Sequence, residues 1–551
     1  MPELRDLPVS ITKFATIRGE NYIYADKTEF LYNLLQIGRP CFLSRPSGFG
    51  KALLLDTLEN ILRGRRELFR GLWIDGSDYD WTPNPVFRLS LTGVNTASDV
   101  SVKIELIYAF RLFAEKEGLS LIDDDDPSTV FKALFDDLYD KYGRPVAVLI
   151  HGYDAPVLDQ LHQDPELAEV IGKTLDAFYE TVKAMDERRG FTFFTGEARY
   201  NPDTLLSTFD NLHDLTYEGE YAAICGFTPH DLDSLFHRHM ETFLRRLISD
   251  GRMSPGSTVS DLRQDILDWC DGYSWDGKTR VLNPRSILWT FRCDRFFDFV
   301  GPRFSHDDFL SDLVKTGLTD LKAFKAEESI TENRNVIEHG KVKPIPVLFR
   351  CGYLTVDRVD ESKRTAKYFL KIPNLKTKAD LISRLFSLEN IENALCARQQ
   401  AEAMVRALTN LDAKGFKDSF ANFIGCFAIG THAGNDERYH AYFRAAMLMA
   451  GQEIQTKGPA GGRYYARFQG PDGTWFIIGI KYCPLEGSCG IKDPVVGPTM
   501  MKAAGEVMKW IEKRDFAKRH RGMGQGIYKV ALVLGGKSEA FALFKEETPV
   551  A

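Results

Sequence analysis

Ser44-Arg45-Pro46-Ser47-Gly48-Phe49-Gly50-Lys51-Ala52 decides the fold of this chain. The apolar run Pro40-Cys41-Phe42-Leu43 precedes it, and Leu53-Leu54-Leu55-Asp56-Thr57-Leu58 follows it. A strand, a glycine-bearing loop and then Gly-Lys opening a helix is the layout that cradles phosphate. The first amides of a helix have no internal partner and point outward at an anion. Lys51 stands where a lysine meets β- and γ-phosphates as a point charge, and the amides from Ser47 to Ala52 stand where they donate to phosphate oxygens. The residue after the lysine is alanine, where a hydroxyl ordinarily holds magnesium.

Working outward, strand-like runs recur at Val86–Leu91, Val146–Ile150 and Phe191–Thr195, with helical patterns of about 10–20 residues between them. That alternation predicts an α/β fold with a parallel sheet and helices on both faces, binding ligands at the carboxyl ends of its strands. The run Val146–Ile150 leads into His151-Gly152-Tyr153-Asp154-Ala155-Pro156. Two carboxylates after such a strand would hold magnesium and polarise an attacking water. Here His151 and Gly152 take those places. Neutral imidazole is a poor ligand for a hard cation, and glycine carries no base. Asp154 is the nearby carboxylate, with two roles open to it: fixing the turn before Pro156, or supplying the missing metal ligand. The acidic run Asp123–Asp126 reads as a solvated loop.

The pattern then changes character. Residues 1–225 read as the strand–helix domain, 226–300 as a helical lid, 301–378 as a winged-helix-like module and 379–551 as a second α/β domain. The module rests on a helix followed by two strands around the charged turn Asp357–Thr365. In the last region two helical stretches precede strands at Tyr464–Phe468 and Trp475–Lys481, a helix at Thr499–Lys513 and a strand at Tyr528–Leu534.

Bulk properties set limits. With 551 residues the chain suggests three or four domains. A net charge of −7 confines any nucleic-acid contact to a local basic face, of which Lys513-Arg514 and Lys518-Arg519-His520-Arg521 are the candidate. No apolar run approaches the roughly 20 residues that span a bilayer. Nine scattered cysteines without a C-x-x-C pair argue against a zinc site or a disulfide framework, and a reducing cytoplasm is expected.

Tyr24-Ala25-Asp26-Lys27-Thr28, Arg45-Pro46 with Phe49-Gly50-Lys51, Tyr153-Asp154 with Pro156, Thr195-Gly196, Gly226-Phe227-Thr228, Gly352-Tyr353-Leu354-Thr355 and Pro373-Asn374 together resemble the predicted AAA-ATPase-like family that carries a C-terminal PD-(D/E)xK nuclease domain. The resemblance covers nearly the whole chain. It implies a P-loop NTPase-like domain, ATP or another nucleotide as ligand, magnesium as cofactor, nucleic acid as a partner and ring-like oligomers. Asp26 and Lys27 join Arg45, Pro46, Ser47, Gly48, Phe49, Gly50, Lys51 and Ala52 as nucleotide-site candidates, with Arg199 as a sensor. The chain departs from the family pattern at Ser47, Gly48, Ala52, His151, Gly152 and Ala198.

For the nuclease-like centre, the resemblance marks Glu437 before Tyr439-His440, Tyr465 in an aspartate position, Gly479 in a glutamate position, and Lys481. One carboxylate with one lysine falls short of the set that holds magnesium beside a scissile phosphate. The departures fall on positions that do chemistry, while the apolar patterning persists. The expectation is a catalytically impaired nucleotide- or nucleic-acid-binding scaffold. The alternative is an active magnesium-dependent ATPase in which Asp154 or Asp26 supplies the metal ligand, with or without nuclease activity.

Overall fold

The computed structural model describes residues 4–161, 163–197, 209, 211–250, 252–253, 255–294, 296, 337–338, 341–342, 344–362, 366–378, 380–381, 394–426, 436–452, 454–457, 464–470, 473–483, 496–515, 517, 526–534 and 540–547. They fall into two compact units, Met1–Asn374 and Leu375–Ala551.

In the first unit, β1 (Cys41–Ser44), β2 (Val86–Ser90), β3 (Val146–His151), β4 (Arg189–Gly196) and β5 (His213–Asp214) form a parallel sheet in the order β2-β3-β4-β1-β5. Its helices are α1 (Phe14–Gly19), α2 (Thr28–Leu35), α3 (Lys51–Leu62), α4 (Asp99–Glu117), α5 (Pro127–Tyr142), α6 (Ala155–Gln160) and α7 (Pro165–Ala184). Val146–Ile150 are all buried, because a parallel sheet covered on both faces takes continuous apolar strands. Phe87 of β2 and Phe110, Phe131 and Phe178 of the helices pack together in tilted and edge-to-ring contacts. The acidic run ends as a cap: Asp126 Oδ2 accepts from the Thr129 amide, Pro127 opens α5, and Gly143 closes it with φ +60°. The strand order leaves β4 between β1 and β3, so the chain leaving β1 must cross to the far edge. That crossover opens a crevice at the carboxyl ends of the strands.

Beyond the sheet come α8 (Pro229–Leu235), α9 (His237–Ser249), α10 (Val259–Cys270) and α11 (Pro284–Cys293). Thr228 and Asp231 form a capping box at the head of α8. A core of Phe236, Met240, Phe243, Leu262, Ile266, Ile287 and Phe291 holds these helices together and also takes in Ile23 and Ala25 from the N-terminal segment. The short strands β6 (Ile337–Glu338) and β7 (Lys341–Val342) pair with each other. Helix α12 (Pro344–Arg350) then leads to the antiparallel hairpin β8 (Thr355–Asp360) and β9 (Lys367–Lys371).

The second unit contains α13 (Ala394–Thr409), α14 (Ala413–Gly425), α15 (Asp436–Met449), β10 (Gln455–Lys457), β11 (Tyr464–Gln469), β12 (Trp475–Tyr482), α16 (Val496–Arg514), β13 (Ile527–Leu534) and β14 (Ala540–Glu546). Its sheet runs β10-β11-β12-β13-β14, with β12 and β13 parallel and the other pairs antiparallel. Helix α16 lays Met500, Ala504, Val507, Met508 and Ile511 over Ile477, Ala531 and Val533.

Candidate nucleotide site

The loop from Arg45 to Gly50 turns β1 into α3 with two left-handed residues, Gly48 (φ +83°) and Gly50 (φ +90°). Gly48 is required twice over: a Cβ there would lie 3.0 Å from Asn283 Oδ1 and 3.1 Å from Arg285 Cβ. The head of α11 pins this part of the loop. Asn283 Nδ2 donates to the Ser47 carbonyl at 3.2 Å, and the Arg285 amide donates to the Gly48 carbonyl at 3.3 Å. Phe49 is buried and meets Tyr273 and Trp275 edge on, with centroids 4.9 and 5.3 Å away. Loop and helical region are therefore one packed object.

Arg45 is fully buried under this loop. Its guanidinium donates to the carbonyls of Ser44, Thr216 and Tyr221 and lies 4.0 Å above the Trp275 ring. Burial pushes its pKa down to about 10. Arg45 is thus a strut tying the loop to the chain beyond β5. Pro46 packs against Gly352, where a Cβ would come within 3.0 Å of its ring.

A cavity of about 650 Å³ opens beside the loop. Ser47, Gly48, Phe49, Gly50, Lys51 and Ala52 line one end of it, and Pro8, Val9, Ile23, Ile224, Phe227 and Leu288 give it an apolar flank. Lys51 is buried, and its ammonium donates to the carbonyls of Arg45 (2.5 Å) and Pro46 (3.0 Å). Glu197 Oε1 stands 3.8 Å from the same nitrogen, while Glu197 Oε2 is buried without a hydrogen-bond partner among the described residues. The lysine therefore points back onto its own loop with a carboxylate beside it.

The second motif lines the same cavity with His151, Gly152 and Asp154. His151 Nδ1 lies 2.9 Å from Thr195 Oγ1. The amides of Gly152 and Tyr153 both donate to the Thr195 carbonyl, which zips the end of β3 to β4. Gly152 makes this possible with φ +68°, and a Cβ there would lie 2.4 Å from Thr92 Cγ2. A Cβ at this position would meet the Thr92 methyl, and glycine itself supplies no base. Asp154 is buried and accepts from the Glu197 amide at 3.0 Å. Gly196 permits that approach, since a Cβ on it would come within 2.6 Å of Asp154 Oδ1.

The remaining candidates separate. Lys27 lines the cavity and ion-pairs with Asp231 at 3.1 Å. Asp26 is not among the lining residues: its Oδ1 accepts from the Thr28 amide and hydroxyl, and its Oδ2 accepts from the Trp73 amide at 2.7 Å. Arg199 and Ala198 lie outside the described residues. A magnesium ion wants about six oxygens in near-octahedral geometry. Here Ala52 offers a methyl, Asp154 accepts from the Glu197 amide, and no cluster of three His, Cys, Asp or Glu among the described residues fits a metal. The described side chains do not by themselves form a magnesium cage.

In the second unit, Tyr465 pairs with Gly479 across β11 and β12. A Cβ at Gly479 would lie 2.6 Å from Val507 Cγ1 and 3.0 Å from Ile511 Cδ1. Helix α16 has filled the space an acidic side chain would need. Lys481 Nζ donates to Glu506 Oε2 of α16 at 2.8 Å. Glu437 lies on α15, with its side chain outside the described residues, as is that of His440. Lys513 and Arg514 end α16; Lys518 to Arg521 lie outside the described residues.

A protein-family model described as predicted AAA-ATPase matches residues 8–205. The chain is similar to an uncharacterized protein from the vnfD 5′ region of Azotobacter chroococcum mcd 1, with 31% identity over 452 residues, covering 80% of this chain and 81% of that one. Among solved structures, the ORC2 protein of Aeropyrum pernix in ADPNP-ADP complexes is similar at 11% identity, covering 80% of this chain and 90% of that one. Its TM-score of 0.25 is too low to establish a shared fold.

Proposed function

Because this chain belongs to the predicted AAA-ATPase family, we propose that it binds a nucleotide in the cavity beside Lys51 and does not hydrolyse it. The observation that carries this reading is the pairing of a phosphate-cradle loop with a base position held by glycine. The two left-handed glycines and the head of α3 frame a cavity large enough for a nucleotide, while Gly152, at φ +68° on its lining, brings no carboxylate to it. The loop amides and Lys51 hold the phosphates, and the apolar flank takes the base. The protein acts as a nucleotide-loaded scaffold rather than a motor.

Titration calorimetry with ATP, in magnesium and in EDTA, tests this. Binding of similar strength in both, weakened by Lys51→Ala, is the expected outcome. Strict magnesium dependence would contradict it. Hydrolysis through Asp154 is the competing reading, favoured by one observation: Asp154 and Glu197 bring two carboxylates to the cavity that Lys51 lines. It predicts magnesium-dependent turnover lost in Asp154→Asn. For the second unit, the filled space at Gly479 and the Lys481–Glu506 pair support a role without phosphodiester cleavage. Nucleic-acid binding there would rest on the basic end of α16.

A further inference from the structure

Helices α13 and α14 form an antiparallel hairpin joined by the short turn Asn410–Asp412. The turn is fixed by Leu411 with φ +58° and by Asp412, whose carboxylate caps α14 on the amides of Lys414 and Gly415. At the opposite, open end, the Sγ atoms of Cys396 and Cys426 lie 3.3 Å apart. Cys396 is in the first turn of α13 and exposed; Cys426 is the C-cap of α14 and buried.

We propose that Cys396 and Cys426 form a reversible dithiol–disulfide site that takes low-molecular-weight disulfides, such as glutathione disulfide, as its oxidant. A disulfide bond is about 2.05 Å long, so the two sulfurs need to close by little more than about 1 Å. The exposed thiol meets the oxidant first. The Cys396 thiolate attacks one sulfur of the disulfide, forming a mixed disulfide and releasing one thiolate. Cys426, held against it, then attacks the Cys396 sulfur, forming the Cys396–Cys426 bond and releasing the second thiolate. Two protein thiols are oxidised, one disulfide is reduced to two thiols, and the two protons pass to the leaving thiolates. Burial, followed by its hydrogen bond with Cys396, pushes the Cys426 thiol up to about 12, so Cys396 initiates and Cys426 attacks as its proton passes to the departing thiolate. The Cys426 thiol also lies 3.2 Å from the Asn422 carbonyl, which fixes it at the end of α14.

The test uses the reduced full-length chain, exposed to glutathione disulfide, alkylated and digested without reductant. The expected result is a linked Cys396–Cys426 peptide, loss of two alkylatable thiols, reversal by dithiothreitol and a raised thermal midpoint. Cys426→Ala should instead accumulate a glutathione adduct on Cys396, and Cys396→Ser should give neither product. A stable adduct on Cys396 in the unsubstituted chain, Cys396-linked dimers, or no modification of Cys396 at all would each overturn the proposal. Should Cys426→Ala fail to fold, the linkage map of the unsubstituted chain decides alone.

Discussion

Two glycines, Gly152 and Gly479, stand where the family resemblance expects a carboxylate, and their surroundings differ. At Gly152 the glycine sits at the rim of a cavity that still carries its glycine loop, its buried lysine and the head of α3. At Gly479 the glycine sits under α16, and Val507 and Ile511 occupy the vacated volume. At the first, an open container stands beside the glycine. At the second no container is present, since Val507 and Ile511 pack against Gly479. The lesson is that retained ligand binding is to be sought beside Lys51 and not beside Lys481.

Restoring each acid is the sharpest way to break this contrast. Gly479→Glu drives a carboxylate into Val507 and Ile511, and we expect a loss of about 3 kcal/mol or more in a denaturant titration, from overpacking together with a buried charge. A stable, DNA-nicking variant would erase the difference between the two sites. Gly152→Glu costs less, about 2 kcal/mol, because the strain at positive φ and the Thr92 methyl are met at a cavity edge. Phosphate release stays absent, and adding Thr92→Ala recovers part of the stability.

Smaller changes sharpen the nucleotide site itself. Lys51→Ala removes a charged donor, and ATP affinity should fall about tenfold or more by calorimetry. Glu197→Gln removes the carboxylate 3.8 Å from Lys51 Nζ, which competes with phosphate for the ammonium. We expect ATP to bind up to about fivefold tighter, in line with the modest worth of a loose ion pair.

The smallest effect concerns pH. His239 is packed among Phe236 and Phe291, and burial lowers its pKa. A depressed folded-state pKa means the unfolded chain binds more protons below the ordinary histidine value of about 6.5. Stability should therefore fall as pH drops through that value toward the depressed one, and His239→Leu should flatten the dependence of the thermal midpoint.

Much of this architecture is legible in the sequence. Continuous apolar runs placed β1, β2, β3 and β4, and Gly-Lys before an apolar helix placed the phosphate loop. Strand β5, of two residues, carries no periodicity to read. The alanine, histidine and glycine substitutions were visible, yet their consequences were not. Whether Gly152 has room for a side chain depends on Thr92, and whether Gly479 does depends on Val507, contacts set by tertiary packing alone. Glu197 carried no signal as a partner of Lys51, being distant in sequence. Asp26 did carry one: an Asp two residues before Thr28 at the head of a helix marks a local cap, and the structure engages its carboxylate that way. Arg45 read as part of a phosphate site, whereas the structure buries it as a strut, a role set by the carbonyls of Thr216 and Tyr221 that no local pattern announces.

Phosphate release from ATP and magnesium, followed at saturating nucleotide with Lys51→Ala as the blank, tests the central claim most directly. Binding without release above that blank is what a cradle lacking its base and metal ligands produces. Sustained release that depends on Lys51 would show that Asp154, Glu197 or a residue outside the described set completes a working site.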